Sequence, residues 1–182
     1  MGKLVVSEFM ALNGVIEAPE NWSLDYFGGD IADFKLAELR GSEALLLGRT
    51  TYDAFAAAWP GRTDETGFAD RINTMPKYVV SSSDDAPWHN TTVIDADVAG
   101  QVAKLKERVP GDIMINGSGR LVNGLLAKGL IDELTLIVYP VVPPSGQKLF
   151  EDGSHAKLDH IESRAFGSGP VLMRYQVRSA VE

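Results

Sequence analysis

Short apolar runs recur along the chain, and most are continuous rather than alternating. KLVVSEF, ALLLG, KYVVS and DIMING are examples. A run apolar at successive positions suits a strand buried on both faces, as in a parallel sheet covered by helices. The pattern predicts strands over residues 3–9, 44–47, 77–81, 92–94, 112–115, 133–140 and 171–177.

Between these runs the apolar spacing changes to that of helices. DIADFKLAELRG places Ile31, Phe34, Leu36 and Leu39 at helical intervals, with Gly41 as a stop. TTYDAFAAAW is Ala-rich and opens on threonines that can cap. DVAGQVAKLKERV puts Val98, Val102, Leu105 and Val109 on one stripe. GRLVNGLLAKGLIDEL carries Leu121, Leu125 and Leu126, with Gly129 near the expected C-cap. Residues 60–74 read as a polar loop followed by a short helix. Strand and helix alternate, which predicts an α/β layered fold in a single domain spanning 1–182.

The tail breaks the alternation. Residues 133–182 hold two or three strands and one long connection containing Pro143 and Pro144, which exclude a central strand there. Antiparallel strands added to a parallel sheet are expected. The apolar stretch 134–142 is a candidate dimer interface.

Composition narrows the class of function. The chain has 182 residues, 45% of them hydrophobic, and a net charge of −8. That charge argues against a nucleic-acid or anionic-membrane partner, which needs a basic footprint. There is no cysteine, so disulfides, thiolate metal sites and thiol nucleophiles are excluded together. The three histidines lack ligand spacing, and no metal site is expected. The N-terminal apolar run is broken by Ser7 and Glu8, so it reads as a first strand and not as a signal peptide. A cytoplasmic protein is the expectation.

Three strand ends offer small or glycine residues. Asn116-Gly117-Ser118-Gly119 lies where an apolar run turns into a helix. A helix N-terminus has unpaired N–H groups and a partial positive charge, so such a turn suits a phosphate, although a plain tight turn would look the same. Gly48-Arg49-Thr50-Thr51 repeats the arrangement, with Arg49 offering a fork of donors. Ser81 and Ser82 leave a third run. Ligands of open α/β sheets bind at the carboxyl ends of strands, so the three ends together point to one elongated anionic ligand. The segment 13–34 is long and irregular, as lids are. Asp30 ends it, either as a helix N-cap or as a carboxylate facing a nitrogen heterocycle.

Taken in order, GVI, WSL, DIADF, LGRTTYDAF, KYVVSS and INGSGRLV resemble dihydrofolate reductase. The closer resemblance is to stand-alone relatives of the reductase domain of the bifunctional riboflavin-biosynthesis deaminase-reductase, the RibD C-terminal domain family. It runs through LLLGRTTYDAFAAAW, ADRINTMPKYVVSS, GSGRLVNGLLAKGLIDEL and VYPVVPPSGQKLFEDG. The resemblance implies a dihydrofolate reductase-like three-layer α/β fold with an eight-stranded, mostly parallel sheet, antiparallel C-terminal strands and flanking helices. It also implies NADPH as cofactor, a homodimer, and reduction of a pterin- or aminopyrimidine-like heterocycle or of a carbonyl or imine. By position it assigns cofactor binding to Gly48, Arg49, Thr51, Ser81, Ser82, Gly117, Ser118, Gly119, Arg120 and Leu121. Arg49 would favour the 2′-phosphate. The resemblance assigns Asp30 to catalysis and Trp22 and Phe34 to the substrate. Where the stand-alone relatives often read SLDG, this chain reads ALNG, with Asn13 in place of the acid. That departure keeps a second expectation open, a non-catalytic nucleotide-binding or dimerising module on the same fold.

Overall fold

The computed structural model describes residues 1–178. Among the described residues eight strands form one sheet: β1 (Leu4–Ala11), β2 (Ser42–Gly48), β3 (Lys77–Val80), β4 (Thr91–Ile94), β5 (Asp112–Ile115), β6 (Glu133–Tyr139), β7 (Leu158–Ala165) and β8 (Val171–Val177). The helices are α1 (Gly29–Gly41), α2 (Arg49–Ala58), α3 (Phe68–Thr74), α4 (Val98–Arg108) and α5 (Gly119–Leu126). The strand order is β4-β3-β2-β5-β1-β6-β8-β7. Strands β1 to β6 run parallel, and β8 lies antiparallel to both β6 and β7.

The continuous apolar runs fill two layers because successive strand residues point to opposite faces. Leu4, Val6, Leu46, Ile113 and Ile115 pack with Val102 and Leu105 of α4 and Val122 and Leu125 of α5. Leu45, Leu47, Val79 and Met114 pack with Leu39 of α1, Tyr52 of α2 and Ile72 of α3. Each such fully buried side chain stabilises the fold by about 1.5–3 kcal/mol before entropy is counted. A third cluster, Ile31, Ile137, Tyr139, Phe166 and Leu172, joins α1 to the antiparallel end.

Local signals account for the helix ends. Asp97 caps α4 by accepting from Gly100 N at 3.3 Å. Gly129, at φ 66°, turns the chain after α5, and Leu130 N donates to Leu125 O at 3.0 Å. Lys77, 1% exposed, donates to the carbonyls of Ile72, Asn73 and Met75 at 2.8–3.1 Å. It thereby satisfies the orphan carbonyls at the C-terminal end of α3, where a cation is favoured.

Two features depart from the sequence pattern. β7 does not show in the hydropathy, since LDHIESRA is exposed along nearly its whole length. It forms because β8 offers an unpaired edge, and its charged residues suit an outermost strand. Of the apolar stretch 134–142 expected as a dimer interface, residues 134–139 are spent on this chain's own sheet, and Val142 beyond them is exposed. β6 is paired to β1 and β8, and all but one of its residues are buried in this chain's own core.

Candidate active site

The carboxyl ends of β1, β2 and β5 open into a cleft of about 1500 Å³. That exceeds the ~300–1,000 Å³ of an ordinary small-molecule pocket. Two turns form its floor, and they are stitched together. Gly48 N donates to Ser118 Oγ at 2.8 Å, Ser118 Oγ donates to Asn116 O at 3.0 Å, and Ser118 N donates to Thr51 Oγ1 at 3.1 Å. The stitch explains the glycine of the turn. Gly117 has φ 55°, and a Cβ there would lie 2.6 Å from Thr51 Oγ1. Ser118 follows at φ 63° and serves as N-cap of α5 without a side-chain cap bond, so the first-turn N–H groups of α5 are not taken by its side chain.

Gly48, Arg49, Thr51, Gly117, Ser118, Gly119, Arg120 and Leu121 all line this cleft. Arg49 stands at its edge, paired with Asp53 at 2.9 Å and donating to Asp85 O at 2.7 Å. Ser81 and Ser82 lie outside the lining. Val80 reaches the cleft from that strand end, while Ser81 Oγ is turned back to accept from Ser83 N at 3.0 Å.

The three residues expected at the substrate are not brought to the cleft. Asp30 lies in the first turn of α1, and Gly28 is the N-cap. Its Oδ1 accepts from Ile31 N at 2.9 Å and its Oδ2 from Gly167 N at 2.8 Å, so it latches α1 to the β7–β8 turn. Phe34 packs edge-on against Phe166, with ring centroids 6.0 Å apart. Trp22 packs against Tyr139 at 5.5 Å, and its Nε1 donates to Glu17 O. Phe34 and Trp22 both pack against the cluster under the antiparallel end. Asn13 is a clip as well, its Nδ2 donating to Pro143 O at 2.9 Å.

A different set occupies that part of the cleft. Ser7, Glu8 and Phe9 of β1, Phe27 of the 13–34 segment, and Lys35 and Leu36 of α1 line it. Lys35 donates to Ser7 Oγ at 2.6 Å and pairs with Glu38, while Ser7 Oγ donates to Glu38 at 2.7 Å. The Lys35 ammonium lies 5.7 Å from the Phe9 ring centre. Glu8 is 4% exposed. Burial pushes its carboxyl well above the usual carboxylate range, against the opposing pull of the Gly117 backbone and Lys35. The signal for this set was present in the sequence, since Ser7 and Glu8 interrupt a strand that is otherwise apolar on both faces.

Among the described residues no group of three or more His, Asp or Glu is placed to hold a metal ion, and no helix is long and apolar enough to cross a membrane.

Comparison with known proteins agrees with the fold. The chain is 27% identical over 181 residues to the uncharacterised protein YyaP of Bacillus subtilis, covering 95% of this chain and 94% of that one. A protein of Shewanella sp. PV-4 described as a riboflavin biosynthesis protein superposes with a TM-score of 0.78 at 19% identity, covering 98% of this chain and 99% of that one. Dihydrofolate reductase from Enterococcus faecalis, solved with NADP(H), superposes with a TM-score of 0.64 at 16% identity, covering 97% of each chain. The fold is therefore dihydrofolate reductase-like. Residues 2–172 match the RibD C-terminal domain, and the chain belongs to that family.

Proposed function

We propose that the protein is an NADPH-dependent reductase of a small heterocyclic, carbonyl or imine substrate. The observation that carries this reading is the meeting of two stitched strand-end turns on one cleft that continues to Ser7, Phe9, Phe27 and Lys35. The cleft has room for a dinucleotide beside a small substrate. The α5 turn presents N–H groups and the positive end of a helix dipole to phosphate. Thr51 Oγ1 accepts from Ser118 N and keeps its own proton free to donate. Arg49 is the cation for a 2′-phosphate, which would compete with Asp53 for the guanidinium.

When bound, the cofactor would supply hydride to an electrophilic carbon. The protein's own part is orientation and a proton. Phe9 and Phe27 offer flat apolar surface to a ring. Lys35 uses two of its three N–H donors on Ser7 and Glu38, and the third is the proton source for the reduced group.

Calorimetric titration with NADPH and NADH tests the reading. Binding of NADPH with a clear preference over NADH is expected, and Arg49→Ala weakens NADPH far more than NADH. Equal losses for both would remove the 2′-phosphate assignment, and no binding of either nucleotide would overturn the reductase reading. Substrates are then screened by NADPH oxidation, starting with dihydrofolate and aminopyrimidines. Lys35→Met is expected to lower kcat more than it changes nucleotide affinity.

A further inference from the structure

Glu8 is a charged residue type in the middle of a buried strand, and the reductase reading gives it no task. Its place in the sheet is defined by register. β1 and β5 pair Val6 with Ile115 in parallel, so two residues further on Glu8 comes level with Gly117, the first left-handed residue of the α5 turn. Its side chain leaves β1 on the same face as Val6 and Met10, toward α5. The carboxyl therefore sits at the turn where the anionic ligand is proposed to bind, with the Gly117 backbone acting on it. Glu8 lines the cleft. Its Oε1 is fully buried and has no hydrogen-bond partner in the protein.

An oxygen of that kind has a defined chemistry. An ionised carboxylate with one bare, buried oxygen is costly, and it would repel a phosphate at the same turn. A protonated carboxyl carries an O–H that needs an acceptor, and a ligand oxygen is one. The surrounding charges do not supply a substitute. Lys35 is held by Ser7 and Glu38 on α1. Glu17, Glu20, Arg120 and Lys128 line the cleft from the 16–20 segment and from α5 and the turn after it, and none of them hydrogen-bonds Oε1. The β6 neighbour in register is Leu136, which is apolar.

We propose that Glu8 is a ligand-contacting acid: it donates its carboxyl proton to an oxygen of the nucleotide held at the α5 turn, and losing that proton expels the ligand. Nucleotide affinity is thereby coupled to one proton. This inference rests on the reductase reading and deepens it. It assigns to the site a proton-bearing donor that discriminates an oxygen acceptor from an amine, and it makes cofactor loading weaken as pH rises.

The test is calorimetric titration of the wild type and Glu8→Gln with NADPH and NADH between pH 5.5 and 9. NADH serves because the 2′-phosphate of NADPH itself titrates near a pH of about 6. In the wild type the affinity should fall by about tenfold per pH unit above the Glu8 inflection, with one proton taken up from buffer per nucleotide bound. Glu8→Gln, whose amide donates at every pH, should bind with a flat profile and no such uptake. Glu38→Gln, outside the cleft lining, should move the wild-type inflection to lower pH, because Glu38 raises the Glu8 carboxyl. Difference infrared spectroscopy of the ligand-free protein at pH 7 should show one protonated carboxyl that Glu8→Gln abolishes. Parallel profiles for wild type and Glu8→Gln, or an ionised Glu8 at pH 7, overturn this proposal and leave the reductase reading intact. Failure of both nucleotides to bind at every pH overturns both.

Discussion

Ser118→Ala removes a single oxygen that joins two turns, and its cost can be worked from the geometry. Ser118 Oγ accepts from Gly48 N, 70 residues away in sequence, and donates to Asn116 O. Alanine leaves both backbone groups half-buried without that partner. A net hydrogen bond contributes about 0.5–1.5 kcal/mol, and a fully buried group left unpaired costs about 1–3. Partial access to water places the expected loss at about 2 kcal/mol, or about 4–8 °C in Tm for a chain of this length. Ser118→Gly separates the hydrogen bonds from the backbone. Residue 118 has φ 63°, where glycine relieves about 1 kcal/mol of left-handed strain that alanine keeps. Stability should therefore rank wild type, then Ser118→Gly, then Ser118→Ala. The assay is urea unfolding followed by far-UV circular dichroism, with the m-value checked for constancy. NADPH titration of the same variants should show weaker binding, because Gly48–Thr51 and the α5 turn lose their common anchor. A stability change under about 0.5 kcal/mol for Ser118→Ala, the size of an ordinary surface substitution, refutes the account of the two turns as one stitched unit.

Three further outcomes follow from the same geometry. Gly117→Ala places a Cβ 2.6 Å from Thr51 Oγ1 at φ 55°, so a loss of about 2–4 kcal/mol is expected from overpacking and strain; measured against Thr51→Ala alone in urea unfolding, the same substitution should cost less, since only the left-handed strain remains, and an equal cost in both backgrounds would refute the contact. Asp64 accepts from the Thr66 hydroxyl and from the backbone N–H groups of Ala69, Phe68 and Thr66 at the start of α3, and the Thr66 hydroxyl first, then these N–H groups, hold its carboxyl down to about 2 from 3.8. Its folded value is depressed, so its contribution is complete above about pH 4 and is lost as pH falls toward 2; Asp64→Asn should flatten that acid limb in urea titrations, and an unchanged limb would contradict it. Asp30→Ala should cost about 1 kcal/mol through the lost latch to Gly167 and leave turnover of a substrate found in the NADPH-oxidation screen unaltered; a tenfold lower kcat would return Asp30 to the site.

The sheet was legible in the sequence wherever burial dictated composition. β1, β2, β3 and β5 lie between helices, so their residues are apolar at consecutive positions, and the runs could be read directly. The glycine-bearing strand ends could be read for the same reason, since a strand that must turn at once into a helix needs residues tolerant of left-handed or close backbone. β7 could not be read, because an outer edge strand is selected for solubility and the neighbouring β8 supplies its order. Residue roles that depend on the partner were decided only by the tertiary structure. Asp30 has the composition of a substrate carboxylate, yet its Oδ2 meets the β7–β8 turn, which lies 137 residues away in sequence, and its Oδ1 stays on α1. Gly117 looked like an accommodation for a ligand, and the fold shows that Thr51 already requires it. Glu8 stood in plain view as a polar interruption of the first strand. Its meaning as a buried acid came from the parallel register that sets β1 against the α5 turn, because the environment of a carboxyl is made by the chains around it and not by its own neighbours in sequence.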